Sequence, residues 1–75
     1  MTKLPLLTAQ ELTKILTTLG FELKRQKGSH MFFEHPDGRT TIIPNHPGEV
    51  IDRGLLIKII KKDIQMSRDE FLKYF

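Results

Sequence analysis

Phe21-Glu22-Leu23-Lys24-Arg25-Gln26-Lys27-Gly28-Ser29-His30-Met31-Phe32-Phe33-Glu34 is the stretch on which the fold turns. Two strand-forming runs flank a Gly-Ser bend. In the first, Phe21 and Leu23 alternate with Glu22, Lys24 and Gln26, which predicts a strand over residues 21–27. The second run, His30 to His35, predicts another. Pro36-Asp37-Gly38 marks a turn, and the β-branched run Thr40 to Ile43 predicts a third strand. Short turns join all three, so the sheet is antiparallel.

The turns set the register. A two-residue Asp37-Gly38 loop puts Phe33 opposite Ile42. The inner face then holds Phe21, Leu23, Met31, Phe33 and Ile42. The outer face holds Lys24, Gln26, His30, Phe32, Thr41 and Ile43. A strict Gly28-Ser29 turn would set Leu23 against Glu34, and burying that carboxylate unpaired is costly. An odd-length bend at Lys27-Gly28-Ser29 is therefore expected. Arg25 falls on the inner side near the bend and snorkels to the edge.

Working outward, Met1 to Leu7 reads as a lead-in, with Pro5 discouraging a helix. Thr8-Ala9-Gln10-Glu11 matches a capping box, and Leu7 and Leu12 stand where a hydrophobic staple needs them. Leu12, Ile15, Leu16 and Leu19 continue at helical spacing to Gly20, so a helix is predicted over residues 9–19. Pro44 to Gly48 is a loop. A second helix begins near Asp52, with Leu55, Leu56, Ile59, Ile60 and Ile64 as its apolar face. Ser67 and Glu70 repeat the capping pattern before a short last helix that packs through Phe71, Leu72 and Phe75. The prediction is an α+β domain ordered α-β-β-β-α, with a short C-terminal helix and the helices on one face of the sheet.

The chain has 75 residues, no cysteine and a formal net charge of +3, with a sequence pI near 9.5. That length predicts a single domain over residues 1–75 with a small core. The absence of cysteine excludes disulfides and thiolate metal sites and fits a reducing cytoplasm. No run is long enough to span a bilayer, and no signal-peptide pattern opens the chain. The basic excess suits an anionic partner such as nucleic acid, although mild basicity also serves solubility alone.

The chemistry gathers at the bend. His30 follows Gly28-Ser29, with Lys24, Arg25 and Lys27 upstream and no carboxylate between Glu22 and Glu34. An imidazole takes and gives protons near neutral pH, and the cations attract phosphate. Gly28 leaves room for a close backbone approach, and Ser29 offers an N–H and a hydroxyl to a phosphate oxygen. By pattern alone, His30 reads either as an acid/base residue or as an ordinary polar residue beside a turn. His46 is the leading candidate for a second acid/base group, with water and Lys27 behind it. Phe32 and Ile43, paired across the outer face, are candidate contacts for a base or a protein partner. Lys58, Lys61 and Lys62 read as a solvated helix face. The three histidines fall in separate segments, so no metal site and no cofactor are expected.

The Arg25-Gln26-Lys27-Gly28-Ser29-His30 block, together with Gly20-Phe21, His35-Pro36-Asp37-Gly38-Arg39 and Pro44-Asn45-His46-Pro47-Gly48, resembles the HicA (YcfA-like) toxins of bacterial type II toxin–antitoxin systems. The resemblance spans nearly the whole chain. It implies a double-stranded-RNA-binding-domain-like fold and an endoribonuclease that cuts mRNA without the ribosome. It also implies a HicB-like antitoxin as partner and His30 as the catalytic residue. The rival expectation is a non-catalytic RNA-binding module of the same fold.

Overall fold

The computed structural model describes residues 6–74. The lead-in through Pro5 and the packing expected of Phe75 lie outside the described residues. The elements run α1 (Ala9–Leu19), β1 (Glu22–Lys27), β2 (His30–Glu34), β3 (Thr40–Pro44), α2 (Arg53–Lys58), a π-wound continuation of that helix (Ile59–Ile64), and α3 (Arg68–Leu72). The three strands form one antiparallel sheet in the order β1-β2-β3. The α-β-β-β-α order with a short last helix matches the sequence prediction. No helix among the described residues is long and apolar enough to cross a membrane.

Helix α1 begins where its capping box places it. The Thr8 hydroxyl accepts the Glu11 N–H at 3.2 Å, and the Glu11 carboxylate accepts the Thr8 N–H at 2.9 Å. That backbone bond, ahead of the Thr8 hydroxyl contact, holds the Glu11 carboxyl below its ordinary range. At the other end Gly20 adopts the left-handed conformation, with φ of 102°, and its N–H reaches the carbonyls of Leu16 and Thr17. Phe21 then turns into the core, its N–H bonded to the Leu16 carbonyl at 2.9 Å.

Gly20 is also pressed by a neighbour. A Cβ at this position would lie 3.0 Å from His35 Nε2. That ring nitrogen donates to the Leu19 carbonyl at 3.1 Å, so His35 closes the open end of α1. The ring also meets Phe21 edge-on, with centroids 5.1 Å apart. His35 is thus structural. Gly20→Ala is expected to cost roughly 2 kcal/mol, from the left-handed backbone and the contact combined. Urea denaturation of the two proteins checks this.

Both hairpins depart from the expected register, each for a local reason. The β1–β2 turn is a strict two-residue Gly28-Ser29 turn, with Lys27 directly opposite His30. Gly28 has φ of 59° and Ser29 does not share the left-handed region, the pattern of a II′ turn whose twist suits a hairpin. Leu23 nonetheless faces Phe33, because a β-bulge at Lys24 absorbs one extra residue. The bulge sits on an edge strand with every residue exposed, where breaking the ladder is cheap. Leu23 is itself 49% exposed, so it lies beyond the core instead of inside it.

The β2–β3 loop holds three residues, Pro36-Asp37-Gly38, instead of two. His35 N–H bonds to the Arg39 carbonyl at 2.8 Å and Gly38 N–H to the His35 carbonyl at 2.9 Å, with Gly38 left-handed at φ of 98°. This is a type I turn closed by a left-handed glycine. Asp37 locks it, accepting the Arg39 N–H at 3.0 Å and the Arg39 Nε at 2.8 Å. The Arg39 backbone bond is the main reason the Asp37 carboxyl stays below its ordinary range. The extra residue sets Phe33 opposite Thr41 and Phe32 opposite Ile42. Ile43 therefore points inward, fully buried, and Ile42 points outward, 47% exposed. Buried Thr41 is satisfied because its hydroxyl donates to Asp63 at 2.9 Å.

One core forms beneath the inner face. Met31, Phe33 and Ile43 from the sheet pack with Leu12, Ile15 and Leu16 of α1 and with Leu56, Ile59, Ile60 and Ile64 of the second helix. Asp52 caps that helix through the Leu55 N–H at 3.3 Å. The π winding was not legible from the helical spacing. Its wider turn brings Ile59 and Ile64, five residues apart, back onto one face, and both are buried. Arg39 ties the turn to this helix by donating to the Ile64 carbonyl. Ser67 caps α3 through the Glu70 N–H at 3.1 Å, and Phe71 completes the core.

Candidate functional site

Helices cover the inner face of the sheet, which leaves the outer face to solvent. On β2 that face carries His30, Phe32 and Glu34, since Met31 and Phe33 alternate into the core. The ring of His30 is exposed and makes no hydrogen bond among the described residues. A nucleotide therefore has open access to it.

The two-residue Gly28-Ser29 turn decides what stands beside this histidine. Counted back from it, Lys27 lies opposite His30 and Arg25 opposite Phe32, while the bulge at Lys24 shifts only the residues beyond, Leu23 and Glu22. Residues that flank a two-residue hairpin turn have Cα atoms about 5.5 Å apart. Lys27 is thus the cation held nearest His30 by the backbone, and no carboxylate pairs with it among the described residues. The Arg25 guanidinium lies over the Phe32 ring, 4.7 Å from its centroid. Lys24 leans away, its Nζ 3.4 Å from a Glu22 carboxylate oxygen.

The outer-face assignment is therefore corrected at five positions. Arg25 joins the face and Gln26 leaves it, pairing with Met31. Ile42 replaces Ile43, whose burial removes it as a contact for any partner, and Thr41 is buried as well. The signal for Ile42 lay in Pro36-Asp37-Gly38, a sequence suited to a three-residue loop with glycine in the left-handed position.

Gly28 and Ser29 form the tip, and a Cβ on Gly28 would meet nothing within 4 Å. Among the described residues, none crowds an approaching phosphate there. The Ser29 carbonyl accepts the Asn45 N–H at 2.6 Å, which fastens the next loop beside the tip. His46 lies in that loop, exposed, at the first position of a turn in which Glu49 N–H reaches its carbonyl at 3.0 Å. Pro47 and Gly48, the latter at φ of 81°, give this turn its type II form. The loop is thus adjacent to the tip, but no hydrogen bond joins His46 to His30. Among the described residues no cluster of histidines and carboxylates is arranged to hold a metal ion.

Beside Arg25 and Phe32 the face dips into a shallow depression of about 310 Å³, lined also by Lys24, Glu34, Thr40 and Ile42. A row of exposed groups thus runs along the sheet from an imidazole and an ammonium, past a guanidinium on an aromatic ring, to a carboxylate.

No curated protein matches the chain. The family model described as HicA toxin of bacterial toxin–antitoxin matches residues 9–65, from the start of α1 to the end of the π-wound segment. That match takes in the whole sheet and both large helices, well over half of the chain, and so the chain belongs to the HicA toxin family.

Proposed function

We propose that the protein is the toxin of a type II toxin–antitoxin pair, an endoribonuclease that cuts mRNA in the cytoplasm with His30 as its acid/base residue. The observation that carries this reading is the pairing of Lys27 with an exposed, unpartnered His30 across a two-residue turn. Family membership gives it context.

RNA supplies its own nucleophile. His30 takes the proton of a 2′-OH, the oxygen forms a bond to the adjacent phosphorus, and the bond to the 5′-oxygen breaks. The products are a 2′,3′-cyclic phosphate and a 5′-hydroxyl. The leaving oxygen takes its proton from solvent or from His46 on the adjoining loop. Lys27 holds negative charge as it builds on the phosphorane, with Arg25 and the Gly28-Ser29 backbone steering the strand. A HicB-like antitoxin is the proposed partner, and the half-buried Phe32 with the exposed Ile42 on the same face suits its docking.

Lys27→Ala is expected to slow cleavage of a labelled transcript by about 10- to 100-fold, the range of one lost charge-stabilising donor. It should also flatten the salt dependence of RNA binding by about one unit of slope. A transcript bound in a salt-dependent way by the wild-type protein yet never cut would favour the non-catalytic module instead.

A further inference from the structure

Glu34 stands out on a face otherwise suited to a polyanion. It lies directly opposite Glu22, and like charges facing each other across two strands are destabilising. The nearby cation, Lys24, pairs with Glu22 and leaves Glu34 without a counter-ion among the described residues. Glu34 itself is exposed and accepts no hydrogen bond among the described residues. It lines the same depression as Arg25, Phe32 and Ile42.

The spacing fits one nucleotide. His30, Phe32 and Glu34 follow at intervals of two residues on one face, on the order of 7 Å apart. With a ribose at His30 and its phosphate at Lys27, the attached base reaches the Arg25–Phe32 pair. Guanidinium planes and aromatic rings both stack unpaired bases, and neither discriminates strongly among them. Glu34 lies one step further, at the base's edge. An ionised carboxylate only accepts hydrogen bonds. It favours an exocyclic amino group, present on adenine, cytosine and guanine, and repels the carbonyl oxygens that flank the single N–H of uracil.

We infer that the Arg25–Phe32 pair and Glu34 form a base subsite selecting an amino-bearing nucleobase over uracil at the nucleotide whose 2′-OH is attacked. This rests on the endoribonuclease reading above. It adds to that reading a stacking platform and a separate selector.

The test uses the full chain and two short RNAs that differ only by cytosine or uracil at the cut nucleotide, the site being located first on a long transcript. Wild-type protein is expected to cut the cytosine RNA about 10-fold faster, within the range for one charged contact to a base. In Glu34→Gln the ratio collapses toward one, because an amide donates to uracil O4 as readily as it accepts from an amino group. Phe32→Ala weakens binding of a 2′-deoxy-blocked RNA equally for both bases. Thermal melts of Glu34→Gln should match or exceed wild type, since the facing carboxylates no longer repel. A wild-type enzyme that cuts RNA but shows no preference, or a Glu34→Gln protein that keeps the preference, overturns the subsite alone. A folded wild-type protein that cuts neither RNA overturns the endoribonuclease reading, and the subsite with it.

Discussion

Replacing His30 with alanine is expected to lower the rate of RNA cleavage by about 100- to 10,000-fold, the range for one lost general acid/base. The fold should survive. The His30 side chain is exposed and bonds to nothing among the described residues, so its loss leaves no cavity and no orphaned polar group. Midpoints of urea unfolding for the two proteins should agree within the roughly 0.5 kcal/mol typical of a surface change. RNA affinity should fall far less than rate, because Arg25 and Lys27 still face the strand. In a cell the variant should no longer halt growth. A folded His30→Ala protein that cuts at the wild-type rate would remove this residue from the chemistry.

The second large effect is on stability. Phe71 is fully buried, yet it belongs to α3, beyond the residues that the family model matches. It packs in the same cluster as the sheet and both large helices. Phe71→Ala should therefore cost about 3–5 kcal/mol, the usual price of truncating a core phenylalanine. A native domain commonly has only about 5–15 kcal/mol in hand, and short chains sit low in that range. The variant should melt at a much lower temperature or lose cooperative unfolding, which calorimetry reads directly. Unchanged melting would mean that α3 is an appendage and that the core closes without it.

Elements with strong local signals were legible in the sequence. The capping residues Thr8 and Ser67 and the left-handed Gly20 act in their own segments, each stands where its pattern placed it, and the second helix starts near Asp52 as expected. The strand faces were harder, because one residue gained or lost in a turn inverts them. A two-residue Asp37-Gly38 loop is the shorter reading of this turn, and the three-residue form exchanges Ile42 with Ile43 on the outer face. In β1 the two-residue turn and the bulge offset each other, so Leu23 still met Phe33 while Arg25 and Gln26 changed sides. No local pattern marks Lys24 as a bulge, since it depends on how an edge strand reconciles a fixed turn with a fixed partner.

The same offset governs the site. His30 was identifiable because its motif is contiguous, whereas its neighbours on the face depend on pairing across strands. Arg25 over Phe32, and Glu34 and Ile42 at the depression, emerge only once the register is known. The bond from His35 to the end of α1 joins residues sixteen apart in the chain, and no local pattern shows it.

The central claim is that an exposed imidazole beside Lys27 turns an RNA strand's own 2′-OH against its phosphate. The most direct measurement is the chemistry of the fragment ends, made with purified protein on an RNA and on its twin carrying a single 2′-deoxy sugar at the cut. A 2′,3′-cyclic phosphate and a 5′-hydroxyl from the first, with the second left whole, is the predicted result. Cleavage of the deoxy twin, or fragments ending in 5′-phosphate and 3′-hydroxyl, would contradict it.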